Sequence, residues 1–176
     1  TFGHGLNSQP QMVILKRYDS GGSTSSWLVQ HVGIGLGSGR LILNTTDANS
    51  TGGSTAYWND TAPDSSVVAL GNNPEVNAGS VIAYCWAESP TQSFGSYTGN
   101  SSTSGPIIDC GFEPAFIMVK GVSGHNWFIS DNQRQNPQTQ LYPNLSNAQL
   151  TRTYFEYTST GFRVITADAD VNLATA

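Results

Sequence analysis

The sequence predicts an all-β chain of two tandem, antiparallel, sandwich-like units with at most one or two short helical turns. Three observations lead there. Apolar residues fall in runs of about 4–6, rich in β-branched and aromatic types, and Gly, Asn, Asp, Ser or Pro bounds each run, as in strands and turns. Apolar spacing near 3.6 is not sustained over any window long enough to make a helix. The second half of the chain also restates the first in the same order.

In the first half the strand candidates are residues 12–15, 27–29, 41–43, 67–70 and 81–86. In the second half they are 116–119, 127–129, 154–157 and 162–165. Asp19-Ser20-Gly21-Gly22 and Ser123-Gly124-His125-Asn126 join candidate strands through residues that tolerate positive φ, so both read as hairpin turns. Ser159-Thr160-Gly161 reads as a third. A helical turn fits at Ser146-Asn147-Ala148-Gln149-Leu150 and at the matching Thr46-Asp47-Ala48-Asn49. Gly33-Ile34-Gly35-Leu36-Gly37-Ser38-Gly39 has glycine at every second position, but a phosphate-cradling loop must open a helix. This one runs into Arg40-Leu41-Ile42-Leu43, another strand candidate, and is expected to be a flexible loop.

The repeat fixes the organisation. Pro10-Gln11-Met12-Val13-Ile14-Leu15-Lys16 aligns with Pro114-Ala115-Phe116-Ile117-Met118-Val119-Lys120, an offset of 104 residues. Trp27-Leu28-Val29 meets Trp127-Phe128-Ile129, and Leu41, Asn44 and Ala48 meet Leu141, Asn144 and Ala148, an offset of 100. Val76-Asn77 meets Val171-Asn172 at an offset of 95, so the second copy has slightly shorter loops. Residues 1–93 are expected to form the first β repeat, 94–105 a Gly/Ser/Thr linker, and 106–176 the second repeat. The second copy stops where a counterpart of Val81-Ile82-Ala83-Tyr84-Cys85-Trp86 is due, and a sandwich short of a strand exposes an edge. Either a continuing polypeptide or a neighbouring chain fills that place, and continuation is the expectation. The start at Thr1-Phe2-Gly3, inside a motif and without signal-peptide features, likewise suits a segment of a longer polypeptide.

Charge excludes some partners. Lys and Arg number 7 against 12 Asp and Glu, a net charge of −5, and the cations do not cluster. Neutralising phosphates requires clustered cations, so neither nucleic acid nor an anionic membrane surface is expected as a partner. Charged residues make up only 11% of the chain, so Thr, Ser, Asn and Gly must cover the surface, a habit of extracellular and virion-exterior β proteins. Cys85 and Cys110 fall in different repeats, and buried thiols acting as small hydrophobes are expected rather than a pair.

Several of these motifs together resemble a known group. They are the Pro-to-Lys strand, the Trp strand, Val76-Asn77-Ala78, Ala83-Tyr84-Cys85-Trp86-Ala87-Glu88, Phe94-Gly95-Ser96-Tyr97-Thr98-Gly99-Asn100 and, most diagnostic, Gly111-Phe112-Glu113-Pro114-Ala115-Phe116-Ile117-Met118-Val119-Lys120. Essentially the whole chain resembles the tandem β repeats of tail-fibre-like and other virion structural proteins of marine phages, notably cyanophages. It departs from their pattern in the absent last strand and in Gly121 where the first copy has Arg17. The resemblance implies a non-enzymatic virion component near host-adsorption structures, located on the virion exterior. It implies other virion proteins and further copies of the chain as partners, a trimer being the common fibre form, and no catalytic residues. A carbohydrate- or receptor-binding module and a capsid-decorating protein are the alternatives.

His4, His31 and His125 lack ligand spacing, so no metal and no cofactor are expected. No Gly-x-Ser-x-Gly turn marks a nucleophile, and Glu88, Glu113 and Glu156 are acid–base candidates only because acids are few. Asp168 and Asp170 beside Asn172 invite a calcium reading, but the aligned Asn73-Pro74-Glu75-Val76-Asn77 lacks that spacing, which favours an ordinary turn. Trp27 and Trp127 recur within strands and read as core. Tyr57, Trp58 and Tyr97 lie in polar stretches and would form either a stacking surface for a host glycan or a lid over the core. Asn-x-Ser/Thr triplets begin at Asn44, Asn49, Asn59, Asn100 and Asn144 and carry no glycan in a phage.

Overall fold

A computed structural model describes residues 1–19, 25–134 and 139–174. The chain divides into two compact units, Thr1–Ser89 and Pro90–Ala176. The expected hairpin turn at residues 19–22 falls mostly outside the described residues. Both units are built from antiparallel strands, so the all-β expectation holds.

In the first unit, β1 is Phe2–Gly3, β2 Met12–Arg17, β3 Trp27–His31, β4 Leu41–Ile42, β5 Val67–Val68 and β6 Val81–Trp86, with α1 at Ser54–Trp58 and α2 at Pro74–Asn77. One sheet runs β4-β3-β2-β6 and a second pairs β1 with β5. Strand side chains alternate between faces, so Val13, Leu15 and Leu28 point together into the core. Trp58, Val68 and Val76 close that core, with Phe2, Val81 and Cys85 packed against it. Thus two sheets and two short helices share one interior. The α2 start is set by Asn73, whose side chain accepts the Glu75 N–H at 2.8 Å, and by Pro74 at the first helical position.

The glycine-rich stretch 33–39 is a built turn, not the flexible loop expected. A 3-10 turn spans Val32–Ile34, and the Gly37 N–H donates to the buried Gln30 carboxamide at 3.0 Å. A Cβ on Gly39 would lie 2.3 Å from the Ile34 carbonyl oxygen, so glycine is demanded by close approach.

In the second unit, β7 is Ile107–Asp109, β8 Phe116–Lys120, β9 Trp127–Asp131, β10 Thr139–Leu141, β11 Leu150–Thr151, β12 Phe155–Thr158 and β13 Gly161–Val164, with α3 at Ala169–Asn172. Sheets β11-β10-β9-β8 and β12-β13-β7 enclose Ile117, Phe128, Tyr142, Tyr154, Phe155, Phe162, Val164 and Val171. Phe128 meets Tyr142 at 4.7 Å between centroids, and Phe155 meets Phe162 edge-on at 5.4 Å. Such pairs add about 0.5–1.5 kcal/mol each beyond their burial. The expected hairpins form: a turn at 122–124 joins β8 to β9, and Ser159-Thr160 joins β12 to β13.

The units share a strand register and several bonds. Ile14 pairs with Val29 and Val29 with Leu41, as Met118 pairs with Ile129 and Ile129 with Leu141. Trp27 N–H donates to the Asn44 carboxamide at 2.9 Å, and Trp127 N–H to that of Asn144 at 3.0 Å. Lys16 donates to the Ser25 carbonyl, and Lys120 to that of His125.

Four expectations need correction. Among the described residues there are three short α-helices, not one or two, and none lies at 46–49 or 146–150. Those stretches lead instead into strand pairing, Arg40 with Ser50 and Gln140 with Leu150, which takes the backbone groups a helix would use. The 94–105 segment is no linker, because it is bonded into the second unit. Tyr97 donates to the Val171 carbonyl at 2.6 Å, and Asn172 accepts Asn100 N–H at 2.8 Å and donates to the Ser102 carbonyl at 2.7 Å. Finally, Trp27 and Trp127, opposite Lys16 and Lys120, stand on the faces of their sheets away from the two core clusters, Trp27 half-buried and Trp127 buried there.

Candidate functional site

Because β2, β3 and β6 are neighbours, the side chains that do not enter the first core share the sheet's other face. The register sets Met12 opposite Trp86, Ile14 opposite Tyr84, and Lys16 opposite both Ile82 and Trp27. Met12, Ile14 and Val29 are buried there, while Tyr84 is 42% exposed and Ile82 43% exposed. Tyr84 and Trp86 are two residues apart on one strand and so project to one side. Their rings stack at 6.0 Å with 16° between planes, and Tyr84 stacks on Trp27 at 6.4 Å and 23°. The Lys16 ammonium lies 5.5 Å from the Trp27 centroid. The result is a strip of three nearly parallel rings rising to the surface beside one cation.

Such a strip offers flat apolar faces to stack on, with a phenol hydroxyl and indole N–H groups as polar handles. These features are enriched where proteins bind partners. It can hold the C–H face of a sugar ring or another apolar surface. The signal was present in the alternation of Tyr84 and Trp86, but Trp27 reads as core until its strand partners are known.

The aromatic residues expected at a glycan site are not brought together. Trp58 is fully buried in the first core. Tyr57 is half-buried beside it, with the Arg40 guanidinium 4.0 Å from its ring centroid and its hydroxyl 3.5 Å from Glu75. Tyr97 is half-buried on the second core, edge-on to Phe162 at 6.4 Å, and burial pushes its phenol well above the ordinary range. Trp58 is thus a core residue, and Tyr57 and Tyr97 pack against different cores.

The remaining polar candidates have structural roles. Asp168 caps α3 by accepting the Asp170 N–H at 3.0 Å and also accepts the Tyr154 hydroxyl. Asp170 lies 3.0 Å from His125 Nδ1. Burial, followed by that Asp168 contact, pushes Tyr154 up to about 12. Among the described residues no three His, Cys, Asp or Glu side chains converge as a metal site would require. Glu88, Glu113 and Glu156 are exposed, and Glu156 lies 3.9 Å from Arg163 across the β12–β13 hairpin. Cys85 and Cys110 are both half-buried thiols that form no disulfide.

No curated protein and no solved structure matches the chain. A family model does match, over residues 1–175, and it describes a domain of unknown function. With nearly every residue covered, the chain belongs to the DUF7483 family.

Proposed function

We propose that this chain is a non-enzymatic structural module of a bacteriophage virion exterior, a tail fibre or another adsorption-related component. The observation that supports this most is the recurrence of one β pattern in both units, with the same pairing register and the same Asn44 and Asn144 bonds. Repeating a compact unit that carries its own core is a way for a chain to gain length and surface without a new fold. A surface with few charges suits a passive exterior part, and the resemblance of the motifs to marine phage fibre repeats points the same way. In this reading its partners are other virion proteins and further copies of itself.

Gold-labelled antibody against the purified chain tests this on intact particles by electron microscopy. Label on fibres or tail tip is the expected result. Label on the capsid would move the protein to a decorating role, and no label on any particle would end the virion reading. The strip of Trp27, Tyr84 and Trp86 favours a second reading, a carbohydrate- or receptor-binding module. Host polysaccharide that quenches tryptophan fluorescence in the intact chain but not after Tyr84→Ala would support it.

A further inference from the structure

The two units differ most at one edge. In the first, β2 is flanked on both sides, by β3 and by β6. In the second, β8 is the equivalent strand and has β9 on one side, but among the described residues no strand lies on the other. The side chains register the difference. Met12 is 9% exposed, whereas Phe116 at the same place in β8 is 56% exposed. Ile14 and Leu15 are buried, whereas Met118 and Val119 are only half-buried. An edge that is apolar and unpaired is a template for another strand.

We infer that the β8 edge is a docking site for an extended segment carrying the pattern of β6, Val-Ile-Ala-Tyr-Cys-Trp, added antiparallel. The molecule itself supplies the argument for that occupant. Because β2–β3 and β8–β9 have the same register, the contacts that β6 makes with β2 transfer by the offset of 104 residues. The incoming tryptophan falls opposite Phe116, as Trp86 falls opposite Met12, and the incoming tyrosine opposite Met118, as Tyr84 falls opposite Ile14. The segment would lie along Phe116 and Met118, the outer-face side chains of β8 that stand more exposed than Met12 and Ile14 in the first unit. Its alternate apolar residues would cover the second core beside Val119, as Val81 and Cys85 cover the first. Tyr18 N–H donates to the Ser80 carbonyl, so even-numbered residues of β2 face β6, and Phe116 and Met118 turn their backbone groups to the open edge. This inference concerns an interaction surface and does not depend on where the protein is found.

The test adds to the full chain a synthetic peptide with the sequence of residues 79–89 and serine at the Cys85 position, read by hydrogen exchange and by titration. Saturable binding at submillimolar peptide is expected, with exchange at the Phe116 and Met118 amides slowed at least about tenfold. The same peptide with proline at the Tyr84 position should not bind, because proline removes a ladder donor. On the protein side, Met118→Pro removes an edge N–H without touching the β9 ladder and should abolish binding while the far sheet keeps its protection. Absence of saturable binding overturns the inference, as does protection appearing in β2, which would mean strand exchange in the first unit. Concentration-dependent dimers that protect β8 without peptide would make a second copy the occupant and overturn it equally.

Discussion

His31 ends β3, and its ring carries a consequence for acid stability. Nδ1 accepts the Gly33 N–H at 3.0 Å and so caps the 3-10 turn, which requires an unprotonated nitrogen there. Burial pushes the imidazole below its ordinary 6.5. The unfolded chain therefore takes up a proton near 6.5 while the folded chain does not. Stability from this group is complete above 6.5 and falls as pH drops from there toward the folded value. Asp19, held low by the Arg17 side chain and then the Ser80 N–H, and Asp64, held low by the Val67 and Ser66 N–H groups, act in a separate window below their ordinary 3.8. Urea midpoints measured at pH 8 and pH 5 should show the loss, and His31→Asn should shrink it, since asparagine keeps an acceptor that does not titrate. A loss of unchanged size in the variant would assign it to another group. None of this is legible in the sequence, where His31 is only a histidine two residues before a glycine.

At the scale of elements, α2 and α3 show how one motif acquires different weight. Both open on a capping side chain, Asn73 or Asp168, and both end on an asparagine that donates inward, Asn77 to the Gly71 carbonyl and Asn172 to the Thr166 carbonyl. Asn77 is exposed, but Asn172 is fully buried because the 97–102 strap wraps it. Asn172 also meets Asn100 and Ser102 through its side chain and Ser101 through its carbonyl. Truncation leaves those buried groups unsatisfied, so Asn172→Ala should cost about 3 kcal/mol and Asn77→Ala about 1 kcal/mol or less. Denaturant unfolding, with hydrogen exchange in β13 and β2 to locate each loss, checks the pair, and equal costs would mean the strap contributes nothing. The alignment of Val76-Asn77 with Val171-Asn172 makes the two helices legible as equivalents. The strap is not legible, because its Gly, Ser, Thr and Asn composition is that of a linker, and only the long-range partners at Val171 and Asn172 give it a fixed place.

At the scale of the whole molecule the duplication is the feature the sequence states most clearly, since core alternation and the Trp-led strand must recur wherever the same sheet is built. What it leaves unsaid is face and edge: Trp27 and Trp127 recur in the alignment as core candidates, yet the pairing register puts both on the face away from the core clusters. The cysteines follow the same logic. Cys85 lies on the inward face of β6 and packs on the first core, and Cys110 packs on the second, so each serves as a small apolar filler in its own unit. No disulfide joins them, and burial pushes the Cys85 thiol above its ordinary value, which suppresses the thiolate that would begin disulfide formation. Purified without reductant and unfolded in denaturant, the chain should titrate as two thiols with a mass that reductant does not change. In the folded chain at pH 8, Cys85 should alkylate at least about tenfold more slowly than after unfolding, since the reagent meets a thiol that is both covered and protonated. A mass two hydrogens lighter before reduction would instead join the two residues covalently, and alkylation as fast in the folded chain as in the unfolded one would place the Cys85 sulfur outside the core.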